Sequence, residues 1–176
     1  INFIVLTLIL TTGKYHSRFN EDKKFMDLAN ADFSKAINAK ILDKKLSGLK
    51  WITPHYIDNP SLELKLLIDL KKTIIQDVEN KIIISDYQIL PAITGNLNYA
   101  PNKWFDSLSV PPVNNKYFTE YKLFFISKLK EQKIKNIYAI SEDKLNYLLF
   151  LFDKKDCIKS KKINEIALKL DVSNCF

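Results

Sequence analysis

From Ile1 to Leu10 the chain is apolar except for Asn2 and Thr7, and it stays uncharged through Thr11, Thr12 and Gly13 until Lys14. At 1.5 Å per helical residue that stretch covers roughly 20 Å of a bilayer core of about 30 Å. Residues 1–13 are therefore expected to be the distal end of a transmembrane helix, the rest of which would lie upstream. A signal-peptide core, which needs about 7 to 15 apolar residues, and a buried core helix are the alternatives. Residues 14–49 alternate charge with small apolar runs without a clear period, the pattern of a connector.

Residues 50–176 carry sharper signals and are expected to form one soluble α/β domain. Trp51–Tyr56 is rich in β-formers, and Pro54 confines that strand to an edge or ends it. Asn59 and Pro60 open a helix expected to run to about Glu79, with Leu64, Leu67, Ile68, Ile74, Ile75 and Val78 on its apolar face. Ile82-Ile83-Ile84 is the unbroken β-branched run of a strand buried on both faces. A short helix over Tyr87–Thr94 follows, with Gly95 for a left-handed C-terminal position. After it comes a long Asn- and Pro-rich loop, Asn96–Asn115. Phe118, Tyr121, Phe125 and Leu129 share one face of the next helix. The strand Asn136–Ile140 comes next, then a helix capped by Ser141 that directs Leu145, Leu148, Leu149 and Phe152 inward, and a last strand over Cys157–Ile163. This alternation predicts an α/β fold: a small Rossmann-like parallel sheet with covering helices.

Composition alters the picture in two places. The net charge is +7, but Arg18 is the only arginine and the lysines are interleaved with acids along the chain, as on a solvated surface. No nucleic-acid partner is expected. The two cysteines, Cys157 and Cys175, lack the spacing of a zinc site and are either a disulfide or two idle thiols, depending on the compartment.

Candidate chemistry is sparse. Three glycines provide neither a Gly-rich phosphate turn nor a P-loop, so no nucleotide cofactor is expected. His16 and His55 are isolated, no metal-ligand spacing occurs, and no nucleophile elbow is present. Asp86 falls just beyond the strand 82–84, where open α/β sheets gather their ligand groups, and Tyr87 and Gln88 follow it. Capping of the next helix is the structural alternative for Asp86. Asn102 and Trp104 in the long loop pair an amide with an aromatic face, a combination suited to sugars or lipid headgroups; Trp104 as a packed lid is the alternative. The predicted substrate-binding set is thus Asp86, Tyr87, Gln88, Asn102 and Trp104.

Several segments together carry a family resemblance: Arg18-Phe19-Asn20, Lys24-Phe25-Met26, Gly48-Leu49-Lys50-Trp51-Ile52-Thr53-Pro54, Ser85-Asp86-Tyr87-Gln88, Pro101-Asn102-Lys103-Trp104 and Asp156-Cys157-Ile158-Lys159. The chain resembles the C-terminal soluble region of bacterial multi-pass membrane glycosyltransferases of the dolichyl-phosphate-mannose type, which use polyprenyl-phosphate sugars. The resemblance implies upstream transmembrane helices that hold the lipid-linked donor, catalytic acids in an early loop outside this chain, and a domain without catalytic residues of its own. It implies as partners the lipid bilayer, the upstream helices and a glycan or lipid-linked sugar. It also implies an extracytoplasmic, periplasmic location, although Lys14, Arg18, Lys23 and Lys24 are a basic flank of the kind that favours the cytoplasm. A membrane-anchored binding module with no transferase activity is the alternative function.

Overall fold

A computed structural model describes residues 2–18, 28–97, 100–106, 108–153 and 155–176. The motif residues Phe19, Asn20 and Lys24–Met26, and Lys23 of the basic flank, lie outside the described residues. The chain divides into two compact units, residues 1–64 and 65–176, and the division falls inside a helix.

The first unit begins with α1, Asn2–Arg18. The helix continues through Gly13, and its apolar side chains are exposed: Phe3, Ile4, Val5, Leu6, Leu8, Ile9 and Leu10 all face outward, Phe3 at 80% and Leu10 at 64%. Among the described residues no helix is long and apolar enough to cross a membrane. Two short strands, β1 (Ile37–Asn38) and β2 (Lys50–Trp51), pair antiparallel. The strand expected over Trp51–Tyr56 is thus only its first residue. Pro54 starts a 3-10 turn instead, Pro54–Tyr56, because its fixed φ suits a helical first position and it has no N–H for a ladder. Buried Glu63 accepts hydrogen bonds from Trp51 Nε1 at 2.6 Å and from Thr53 Oγ1 at 2.7 Å, which ties β2 and the turn to the start of α2, Pro60–Gln76.

The second unit holds a four-stranded sheet in the order β3-β4-β6-β5, built from Lys81–Ile84, Asn136–Ile140, Ala167–Asp171 and Lys159–Lys162. Only β3 and β4 run parallel; β4–β6 and β5–β6 are antiparallel. The sheet is therefore mixed, and the all-parallel arrangement predicted from the sequence is corrected. The cause is the connection between β5 and β6, residues 163–166, which is far too short for a parallel crossover. The crossover from β3 to β4 carries α3 (Leu90–Thr94) and α4 (Phe118–Glu131), and α5 (Glu142–Phe150) follows β4.

The sheet is buried on both faces at β3 and β4, and the main apolar cluster lies on one of them. Ile82 and Ile84 of β3, Ile137 and Ala139 of β4 and Leu170 of β6 join Phe125 and Leu129 of α4 and Leu148 of α5 in one buried cluster. Alternation along the strands sends Lys81 and Ile83, Asn136 and Tyr138, and Lys169 and Asp171 to the other face. The apolar face of α2 keeps Leu64, Leu67 and Ile74 as expected, half-buries Ile68 and adds Leu66 and Leu70. Ile75 and Val78 are exposed, the latter because α2 stops at Gln76. Gly95 takes the left-handed position that ends α3, at φ 66°, as expected.

Candidate functional site

The C-terminal ends of β3 and β4 open onto one rim, and Lys144 organises it. Its Nζ lies 2.9 Å from Asp86 Oδ1 and also donates to the backbone carbonyl of Phe105 in the long loop. The Lys144 side chain is only 10% exposed, whereas its carboxylate partner is 52% exposed. A cation shielded in this way is held by a charge-assisted bond at one end and by a carbonyl dipole at the other. The strand end at Asp86 and the loop near Trp104 are therefore joined, by a residue that sequence reading did not single out. Lys144 is placed by the turn at Ser141, which sits at φ 88° and ψ 150°, a conformation costly for any residue with a Cβ. The Ser141 amide, donating to the Ile166 carbonyl at 2.9 Å, helps hold it there.

The predicted residues divide into framework and open surface. Asp86 is not a helix cap: the position before α3 is Ile89, without a side-chain cap bond, and Asp86 is turned to Lys144 instead. Ser85 Oγ accepts from the Tyr87 amide at 2.7 Å, and Gln88 Nε2 donates to the Ser85 carbonyl at 2.9 Å. That turn spends the Gln88 amide locally and presents Asp86 at its tip. Asn102 is also committed. Its Oδ1 accepts from Tyr121 OH at 2.8 Å and its Nδ2 donates to the Ser109 carbonyl at 3.2 Å, which clips the loop to α4. Burial pushes the Tyr121 hydroxyl well above its ordinary range, with Tyr147 adding to the rise, so it stays a donor.

Trp104 differs from these, being 45% exposed with Lys103 Nζ 5.7 Å from its ring centroid. Its neighbour Phe105 is the packed one, meeting Phe125 and Tyr147 edge to face at 5.9 and 6.4 Å. The loop is further pinned by Asp106 Oδ1, which accepts from the Leu108 and Ser109 amides at 2.9 Å each, and by Tyr147 OH donating to the Pro111 carbonyl. The backbone bond from Leu108, followed by the side-chain bond from Ser109, holds the Asp106 carboxyl below its ordinary value. A pinned loop with an outward indole offers a stacking face at low ordering cost.

Cys157 and Cys175 form a disulfide with a Cα separation of 5.1 Å. Among the described residues no cluster of His, Cys, Asp or Glu could hold a metal ion. Compared with known proteins, the chain matches no family model, no curated protein and no solved structure. The fold and site thus define a mixed α/β unit with a cation-braced rim at its parallel strand ends.

Proposed function

We propose that the chain is an extramembrane domain, with its membrane attachment, of a membrane-bound glycosyltransferase-like protein. In this reading it is accessory to sugar transfer from a polyprenyl-phosphate donor and supplies no catalytic residue. The observation that carries it is α1, whose apolar side chains from Phe3 to Leu10 are exposed together. Water penalises such a surface by about 25 cal/mol per Å², and a bilayer interior removes the penalty. The disulfide supports an oxidising, extracytoplasmic side, because such bonds persist there. Exposed Trp104, half-exposed Asp86 and shielded Lys144 are groups suited to a sugar: an aromatic face, an acceptor and a cation that fixes the acceptor.

Carbonate extraction of bacterial membranes tests the attachment. The whole chain is expected in the membrane pellet and a variant lacking residues 1–18 in the supernatant, with an unchanged unfolding transition. If the whole chain washed off as a folded protein without detergent, α1 would be packing on protein, and the membrane reading would fall.

A further inference from the structure

The sheet face opposite the main apolar cluster carries, beside α2, a groove of about 600 Å³ that the strand-end rim does not use. One wall is the end of α2, with Gln76 and then Asp77; the floor is Tyr138 and Lys169; the other wall is the edge strand β5. The antiparallel register sets Lys161 directly opposite Lys169 and Lys159 opposite Asp171, and the pleat puts all four side chains on one face. Lysines directly opposite one another repel, and Asp77 Oδ2, 3.0 Å from Lys169 Nζ, offsets the charge of Lys169 but leaves that of Lys161 unmatched among the described residues.

Asp77 is engaged through both oxygens, and Asp171, opposite Lys159, through one. Asp77 Oδ2 accepts from Asn136 Nδ2 at 2.8 Å, Tyr138 OH at 2.7 Å and Lys169 Nζ at 3.0 Å, and Oδ1 accepts from the Glu79 amide. Asp171 Oδ1 accepts from both the amide and the hydroxyl of Ser173. Lys161 has no carboxylate partner among the described residues, and neither has the side-chain amide of Gln76 any hydrogen-bond partner there. An exposed cation, a second cation fixed beside it, a third two residues along and a spare amide converge on one concave surface. A phosphate group matches this set better than a carboxylate, since it carries close to two charges and offers three acceptor oxygens.

We propose that this groove binds a phosphate-bearing ligand, with Lys161 and Lys159 meeting the phosphate oxygens, Lys169 reinforcing the field and Gln76 donating from the helix side. Lysine at a sheet edge also discourages strand-to-strand aggregation, which is the ordinary explanation for β5. The two are separated by whether binding is saturable and local.

The test is an amide-shift titration of the whole chain in neutral detergent with inorganic pyrophosphate at low salt. Saturable shifts are expected on residues 159–162 and 167–171, weakened by added salt. Lys161→Gln, an exposed edge substitution, is expected to lower the affinity roughly tenfold. Lys130→Gln on α4, which covers the opposite sheet face, is expected to leave it unchanged. A second arm replaces detergent by vesicles of anionic phospholipid in neutral phospholipid. The same shifts there, displaced by pyrophosphate, identify a lipid headgroup as the source of the phosphate, whereas shifts with pyrophosphate alone identify a soluble phosphate ester. Shifts that never saturate, or equal losses for Lys161→Gln and Lys130→Gln, overturn the proposal and leave the lysines as edge protection.

Discussion

Replacing Asp77 by alanine is expected to lower the unfolding free energy by about 3 kcal/mol, the lower end of the cost of removing one partner from a buried charged network. The side chain is only 6% exposed and answers three side-chain donors at once. Its loss strands the hydroxyl of fully buried Tyr138 and the amide of Asn136, and it removes the counter-charge of Lys169. Burial by itself raises the Asp77 carboxyl, but the hydrogen bonds from Tyr138 and Lys169, the Glu79 amide and the Lys169 charge outweigh it and hold the value below the ordinary 3.8. Burial and the Asp77 bond push the Tyr138 hydroxyl far up in turn, so it donates at every accessible pH. Because the folded value is depressed, the stabilisation is fully present above the unfolded value and is lost as the pH falls through the folded one. Urea unfolding at a series of pH values checks both parts. Asp77→Ala is expected to shift the midpoint strongly at neutral pH, and Asp77→Asn to flatten the fall in stability below about pH 4. A wild-type acid limb retained in Asp77→Asn would assign it to other carboxylates.

Replacing Cys157 and Cys175 together by serine is expected to cost about 3 kcal/mol in the chain-entropy account, because the bridge closes a loop with a sequence separation of 18. The bridge ties the segment after β6 to the short turn Lys155–Cys157, beside Phe152 and Phe176, whose rings lie 6.4 Å apart. Thermal unfolding with and without reductant is the check. The wild type is expected to fall to the value of the double variant on reduction, while the variant does not respond. Equal melting temperatures in all four conditions would show a bridge that contributes nothing to stability.

Much of the second unit was legible in the sequence because its elements are locally consistent. The face Phe118, Tyr121, Phe125 and Leu129 is a helical stripe, and the structure buries Phe125 and Leu129 completely. The β-branched run at 82–84 and the strand at 136–140 needed no tertiary information either. The strand β6 was missed, though Ala167-Leu168-Lys169-Leu170-Asp171 alternates cleanly, because five residues close to the end of a chain carry little weight alone. Missing β6 also hid the mixed sheet. Asp77 could not be singled out, since its partners Asn136 and Tyr138 stand 59 and 61 positions away. The lysines of β5 read as solvated surface until the register set Lys161 against Lys169. At the rim, Asp86 stands just beyond the end of β3, a position legible in the sequence, but the cation that joins it to the loop is a helix residue, Lys144, with nothing unusual in its neighbourhood. Asn102 looked like a ligand group and is a loop clip, because an amide serves either role and only Tyr121 and Ser109 decide which.

The most direct measurement is the affinity of the chain, in neutral detergent, for a polyprenyl-phosphate sugar and for a free oligosaccharide, with wild type and Trp104→Ala compared. Losing one exposed stacking face is expected to weaken sugar binding by roughly tenfold and to move the melting temperature very little, because Phe105 and not Trp104 fills the core. Unchanged binding in Trp104→Ala, accompanied by a large fall in melting temperature, would make the indole a packed lid and contradict a sugar site at the strand ends.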